Sequence, residues 1–327
     1  MNSFEHIETQ DLASALTILQ EPRSAALAGG TDLVGELKRG IRRPDRLIDL
    51  KRIHSLKGIS VGPDLRLGAL TPLSAMEEHP AVISQRPLLH QALKSTATLQ
   101  LRNMGTVGGN LCQRPRCWYY RNHLSLCWLK GGEFCWAARG ENHYHTILGK
   151  AICHAPHPSD LAPALMALQS RIKITSSKGV REIALEELYQ EPRPERRQMT
   201  ILEPGELVTE IAVPLPAQST RGIYLKAMER KAWSFALVSV AAILGFDGDT
   251  ITGGRLVLGG VATIPWRAKG AESILGGKKF SEGLCREVVD SALREARPLR
   301  DNQYKVPLAK GLIRRALTQL LNQHETP

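Results

Sequence analysis

The sequence predicts an α+β chain of two domains that divide near residue 217. Three observations carry this. Short strand and helix patterns alternate through the first two thirds of the chain. A tract of Pro, Ala, Gln, Ser and Thr from Pro214 to Arg221 interrupts them. After it come two long strand patterns around Asp247-Gly248-Asp249, a hairpin signal, and then only helical patterns.

The elements follow in order. Asp11 to Gln20 carries Leu12, Ala15, Leu16 and Leu19 on one helical face. Ala25 to Ala28 reads as a short buried strand running into Gly29-Gly30-Thr31-Asp32, with Leu33 to Lys38 as a short helix behind it. Arg46 to Leu50 and Leu65 to Leu70 are strand candidates, and Thr71 with Pro72 has the form of a helix cap. Pro87 to Thr96 reads as a helix leading into a three-glycine loop, Arg102 to Asn110. Asp160 to Leu168 is a helix, with Leu161, Ala164, Leu165 and Leu168 in phase. Arg171 to Thr175, Val180 to Ile183 and Leu207 to Pro214 are strands. The hairpin strands run about Leu237 to Phe246 and Thr250 to Val261. Helices at Ala268 to Leu275, Ser281 to Ala296 and Val306 to Asn322 complete the chain.

Of the 327 residues, 43% are hydrophobic, enough to bury a sizeable core and to exclude wholesale disorder. The N-terminus lacks a basic segment followed by an apolar run, so no secretory signal is expected. The longest apolar run, Phe235 to Phe246, falls short of the ~20 residues a membrane helix needs. A cytoplasmic protein with no membrane insertion is expected, periplasmic only if exported together with a partner.

Five of the six cysteines, Cys112, Cys117, Cys127, Cys135 and Cys153, fall in one stretch that also holds Trp118, Tyr119, Tyr120, Trp128, Phe134, Trp136 and Tyr144. In a reducing compartment such clustering points to a metal or redox site rather than disulfides. Cys117, Cys127, Cys135 and Cys153 are separated by ten, eight and eighteen residues. Zinc sites usually use tight C-x2-4-C pairs, and no two of these four are spaced so closely. A [4Fe–4S] cluster needs four thiolates, which a wrapping loop can deliver from separated points. On spacing the cluster is favoured, while zinc and simple burial of the thiols stay open. His143, His145, His154 and His157 flank the last cysteine and read as surface loop residues in preference to donors to a cluster.

Two glycine loops, Ala28 to Asp32 and Thr106 to Asn110, have the form of anion-binding nests. Neither is a G-x-G-x-x-G fingerprint. Gly30 to Gly35 has P-loop glycine spacing, but Glu36 stands where the lysine belongs.

These residues carry a family resemblance. The runs Leu27-Ala-Gly-Gly-Thr-Asp-Leu33, Arg102-Asn-Met-Gly-Thr-Val-Gly-Gly-Asn-Leu111 and Ser159-Asp-Leu-Ala-Pro-Ala-Leu165 occur in this order. So do Ile201-Leu-Glu-Pro-Gly-Glu-Leu207, Tyr224-Leu-Lys-Ala-Met-Glu-Arg230 and Phe235-Ala-Leu-Val-Ser-Val-Ala241. Together they resemble the FAD-binding medium subunits of the xanthine dehydrogenase and carbon monoxide dehydrogenase family of molybdenum hydroxylases, over nearly the whole chain. Arg116-Cys-Trp-Tyr-Tyr120 resembles the flavin subunit of 4-hydroxybenzoyl-CoA reductase. Gly140-Glu-Asn-His-Tyr-His145 and the long gap before Cys153 are more similar to the FAD subunit of periplasmic aldehyde oxidoreductases. Ser234-Phe-Ala-Leu departs from the Asp-Phe-Ala-Leu of many relatives.

The resemblance implies an FAD-binding domain of two subdomains (PCMH type) over 1–217, with an inserted iron–sulfur loop at about 112–154. A C-terminal domain with a three-stranded antiparallel sheet and helices would occupy 218–327. It implies FAD held by Leu27, Ala28, Gly29, Gly30, Thr31, Asp32 and Leu33 and by Thr106, Gly109 and Asn110, with Asp160 bonding the cofactor and Lys226 near the flavin. It places Cys117, Cys127, Cys135 and Cys153 on the ligands of a [4Fe–4S] cluster and leaves Cys112 without a match. No residue of this chain would be catalytic in its own right. The implied partners are a large molybdenum-cofactor subunit, a small [2Fe–2S] subunit and an external electron carrier.

Two other classes remain. A stand-alone flavoprotein is separated from a subunit by copurification. A nucleic-acid-binding metalloprotein is raised by the net charge of +11, from 43 basic and 32 acidic residues. The basic residues, Arg42-Arg43, Arg114-Arg116, Arg193 to Arg197 and Arg314-Arg315, form no stripe or known motif, so no nucleic acid is expected. The charge reads instead as a docking or steering surface.

Overall fold

The structure, a computed structural model, describes residues 1–230 and 232–325. Three sheets organise it. The first is parallel, with β1 (Glu5–Glu8), β2 (Ser24–Leu27) and β3 (Arg46–Asp49) in the order β1-β3-β2. A parallel sheet needs cover on both faces. Ala15, Leu19 and Ile48 close one side, and Leu27, Leu37 and Leu47 the other. The helix Leu12–Leu19 starts where the Asp11 carboxylate accepts from Ser14 N at 2.8 Å.

The second sheet is antiparallel: β4 (Ile59–Val61), β5 (Asp64–Gly68), β6 (Arg171–Ser176), β7 (Gly179–Ala184) and β8 (Leu207–Pro214), in the order β4-β5-β8-β6-β7. Its apolar face packs under the helices Leu73–Glu77, Pro87–Ser95 and Leu161–Ala167. Every residue of Leu161–Ala167 is buried, because that helix is wedged between the second sheet and the third.

The third sheet comprises β9 (Thr220–Ala227), β10 (Val238–Asp247), β11 (Thr250–Gly259), β12 (Trp266–Arg267) and β13 (Lys278–Lys279). Its order is β12-β11-β10-β9, with β13 also paired to β11. It is thus five-stranded rather than three-stranded: two short strands return from the helical segment to cover the edge of β11. Val238, Val240, Ala242 and Leu244 of β10 pack toward the helices Glu282–Ala292 and Lys305–Glu325, while Ala241 faces the Leu161–Ala167 side. Burial on both faces explains why β10 reads as one apolar run.

Three local expectations are corrected. Thr71 does not cap a helix; its hydroxyl donates to Gly58 O at 2.8 Å and accepts from Gly58 N at 3.1 Å. The segment 102–110 is not a loop throughout. The helices Leu99–Met104 and Val107–Leu111 meet there, the second capped by Thr106 Oγ1 accepting from Gly109 N at 3.2 Å. And β9 lies where the sequence reading ends its boundary tract.

Candidate functional site

The two glycine turns lie against each other. A Cβ on Gly29 would stand 1.8 Å from Met104 O, so only glycine lets the backbones approach this closely. Gly30 has a φ of +74° and turns the chain from β2 into the helix Leu33–Lys38. Among the described residues, the N–H groups of Gly29, Gly30 and Thr31 donate to no protein acceptor. They form a nest of the kind that holds anions. The second turn is different: Val107 N donates to Thr71 O at 3.1 Å and Gly108 N to Ala69 O at 2.9 Å. Its donors are spent internally, and its part is to hold the first turn in place.

Two cavities meet at these turns. The larger, about 450 Å³, is lined by Ala28 through Leu33 together with Thr106, Gly109, Arg42, Arg114 and His157. The smaller, about 260 Å³, is lined by Thr31, Asp32, Thr106, Gly109, Asn110, Asp160, Trp233 and Phe235 among others. They share Thr31, Asp32, Thr106, Gly109 and Gln113. Two chambers joined at an open nest fit a dinucleotide: one half in each, the pyrophosphate at the neck. Burial lowers the pKa of Arg42, and the neighbouring Arg114 charge lowers it further, so an anion in the larger chamber relieves both. Arg42 was counted in the sequence only as scattered charge.

Leu27 and Lys226 line neither cavity. Leu27 lies in the core behind the turn. Lys226 Nζ donates to Asp160 Oδ2 at 2.8 Å and to Ser95 O at 2.9 Å, under the Trp233 ring. Both side chains of this ion pair are nearly inaccessible, 2% and 4% exposed, so Lys226 is no solvated strand residue. Burial pushes the Asp160 carboxyl up, against the pull of Lys226 and of the Tyr224 hydroxyl, which donates to it at 2.9 Å. Asp160 stands at the helix N-terminus without capping it; Ser159 Oγ does so, accepting from Ala162 N at 3.0 Å and donating to Asn110 Oδ1 at 2.6 Å.

Asp32 joins the cavities to the cysteine loop. Its carboxylate accepts from Arg114 N at 2.7 Å, Arg116 Nη1 at 2.5 Å and Arg121 Nη2 at 2.7 Å. Next to it the Tyr120 hydroxyl donates to buried Glu36 at 2.8 Å. Arg197 holds the loop from the far side: Nη1 donates to Trp128 O at 2.8 Å and Gly132 O at 2.7 Å, and its guanidinium lies 4.7 Å from the Trp128 ring centre. Inside this frame Cys117, Cys135 and Cys153 pack around Trp128, Ala155 and Met199. Cys127 lies within electrostatic range of the other three. Burial pushes the Cys117 thiol up to about 12, and those of Cys127 and Cys153 upward.

Among the described residues, no three His, Cys, Asp or Glu side chains close to the spacing of a single metal ion. Four sulfurs on one zinc would stand roughly 3.8 Å apart, the edge of a tetrahedron with 2.3 Å bonds. The four thiols are therefore neighbours without forming a one-ion site. Cys112 stands apart from them, in the wall of the larger cavity, with its thiol pushed up to about 11 by burial.

The surface reading of the histidines holds for His143, which is exposed, and fails elsewhere. His154 is half-buried, while His145 and His157 are buried and held neutral, their pKa values lowered to about 4 and about 3 by desolvation. His145 Nε2 lies 3.1 Å from Cys117 Sγ, a contact across 28 residues that no local spacing reveals.

The sequence pattern described as the FAD binding domain in molybdopterin dehydrogenase matches residues 2–216, and that of the CO dehydrogenase flavoprotein C-terminal domain matches 223–320. The chain is 35% identical to the aldehyde oxidoreductase FAD-binding subunit PaoB of Escherichia coli (strain K12), over 97% of each chain. It is 28% identical to the carbon monoxide dehydrogenase medium chain of Hydrogenophaga pseudoflava, over 96% of each. The solved structure of carbon monoxide dehydrogenase from that organism superimposes with a TM-score of 0.79 at 25% identity, covering 98% of both chains. On the match across both halves and on the PaoB likeness, the chain belongs to the FAD-binding subunits of the molybdenum hydroxylases and is an oxidoreductase subunit.

Proposed function

We propose that this chain is the electron-transfer subunit of a molybdenum hydroxylase complex of the aldehyde oxidoreductase kind, holding FAD and one [4Fe–4S] cluster. It would relay electrons between a small [2Fe–2S] partner, fed by a large molybdenum-cofactor partner, and an external carrier. The observation that carries the reading is the Asp32 clasp. Asp32 lines both chambers and is tied to Arg116, the residue before Cys117, so the dinucleotide site and the four-thiol loop are built as one unit.

In this reading the open nest of Gly29 to Thr31 holds the pyrophosphate, with Arg42 and Arg114 balancing its charge. Thr106, Gly109 and Asn110 wall the neck, and Asp160, Trp233 and Phe235 bound the chamber opposite. Lys226 acts behind Asp160, fixing its carboxylate. Cys117, Cys127, Cys135 and Cys153 are the cluster ligands, with buried Trp128 packed against them, while Phe134, Trp136 and Tyr144 are exposed rather than screening them from water. Bound there, FAD would supply both one- and two-electron chemistry, and the cluster one-electron chemistry. The division into 1–217 and 218–327 is part of the proposal, supported by the matched spans 2–216 and 223–320.

The test is anaerobic purification from the native source, with flavin, iron, sulfide and zinc counted and an EPR spectrum of the reduced protein. One FAD and four iron per chain are expected, in association with a larger molybdenum-containing chain. Zinc without iron defeats the cluster assignment; recovery of an active chain without that partner defeats the subunit role.

A further inference from the structure

The contact between His145 and Cys117 has a physical consequence once the sulfur ligates iron. A ligating sulfur carries no proton. At 3.1 Å, the nitrogen facing it must then carry one, because otherwise two lone pairs would oppose each other. The second ring nitrogen, Nδ1, is buried without a partner. Trp118 meets the imidazole edge-on at 5.3 Å and fixes its plane.

The backbone beside that imidazole is gripped from the far end of the chain. Lys305 Nζ donates to the carbonyls of Tyr144, His145 and Gly260 at 3.0, 3.1 and 2.9 Å. Asn302 Nδ2 donates to those of His145 and Thr146, both at 3.0 Å. Both residues are 0% exposed. An ammonium is costly to bury, and this one is satisfied by carbonyls, two of them flanking the Cys117 contact.

We propose that His145 donates Nε2–H to the cluster thiolate of Cys117 and raises the cluster's reduction potential, with Asn302 and Lys305 as positioning residues that hold the imidazole there. A hydrogen bond to a ligand sulfur favours the reduced form, which carries more negative charge. The inference rests on the [4Fe–4S] reading above.

The test is a potentiometric titration of the full chain, followed by EPR, for the wild type, His145→Phe and His145→Gln. Phenylalanine keeps the ring packing and removes the donor; glutamine restores a donor. With iron and sulfide at wild-type content, His145→Phe is expected to shift the oxidised-to-reduced ratio about tenfold toward oxidised, near 59 mV for one electron. His145→Gln should recover part of it. Pulsed EPR of wild-type protein carrying 15N-histidine should reveal a weak nitrogen coupling to the reduced cluster, diminished in Lys305→Met. An unchanged potential in iron-replete His145→Phe overturns the inference. If that variant holds no iron, the 15N coupling decides: its absence in the wild type overturns the inference, its presence upholds it. Iron missing from the wild type fells the cluster reading itself, and this inference with it.

Discussion

Gly29→Ala tests whether contact between the two glycine turns builds the dinucleotide site. The added methyl would lie 1.8 Å from Met104 O, 2.8 Å from Met104 C and 3.1 Å from Gly105 Cα. All three atoms are backbone, so no rotamer change relieves the overlap. With ordinary contacts near 3.5 Å, the turns must part by roughly 1.5 Å. Overpacking of this kind costs about 1–3 kcal/mol, and a backbone clash belongs at the upper end. At roughly 2–4 °C per kcal/mol, Tm should fall by about 6–12 °C. The flavin-to-protein ratio should fall with it, since the nest opens where the two chambers join. Gly35→Ala is the internal control. It lies in the helix Leu33–Lys38 with nothing within 4 Å of its Cβ position, so alanine should leave flavin content intact and add about 0.5–1 kcal/mol of stability. Calorimetry and flavin absorbance on both variants decide. A Gly29→Ala protein with a full complement of flavin that melts within 2 °C (roughly 1 kcal/mol) of the wild type refutes the reasoning.

Two further outcomes follow from buried charge. The Asp160–Lys226 pair, at 2.8 Å and almost inaccessible, should cost about 3–5 kcal/mol when either partner alone is replaced, by Asp160→Asn or Lys226→Met. The double variant should lose clearly less than the sum in urea unfolding; additivity within about 0.5 kcal/mol sinks the pairing. His157 is held neutral, its pKa lowered from 6.5 to about 3. As the pH falls below about 6.5 the unfolded chain gains a proton that the folded chain refuses. The stability is therefore complete above that pH and is lost from there toward pH 3, at up to about 1.4 kcal/mol per unit. His157→Phe keeps a ring against Tyr189, 4.7 Å away in the parent, and should flatten the slope of the urea midpoint between pH 7 and 5. An unchanged slope contradicts the assignment.

Elements with strong periodicity were legible in the sequence. β6 alternates apolar and polar residues in step with its burial, and β10 is mostly apolar because both of its faces are covered, whereas β7, without a buried residue, follows its pairing with β6. β9 was hidden because its residues are mostly half-buried, with Gly222 and Lys226 breaking the pattern; it is specified by its pairing with β10. The four ligand candidates were legible as residue types gathered in one stretch. What surrounds them was not. The partners of Asp32 lie 82, 84 and 89 residues away, and Asn302 reaches His145 across 157. Such contacts are set by how the three sheets assemble, and single-chain spacing carries no trace of them.

The net charge of +11 takes on another meaning from these contacts. As a bare count it suggested a docking or steering surface, yet several of the basic residues in the scattered groups point inward. Arg116 bonds Asp32, Arg197 grips two carbonyls of the cysteine loop, and Arg42 lines the larger chamber. Arg121 and Lys130 add charge around the same loop, Arg121 on Asp32 and Lys130 within range of Cys127 and Cys117, while burial lowers the pKa of Lys305, held against the His145 carbonyl, to about 7. On the proposed reading, a loop carrying four thiolates beside a nest holding a pyrophosphate would concentrate negative charge in a low-dielectric interior. Cations placed there in advance offset that charge, as the thiols' upward shifts require if they are to ionise. Part of the excess of basic residues thus faces the cavities and the cysteine loop, and net charge alone overstates what is left for an outer partner.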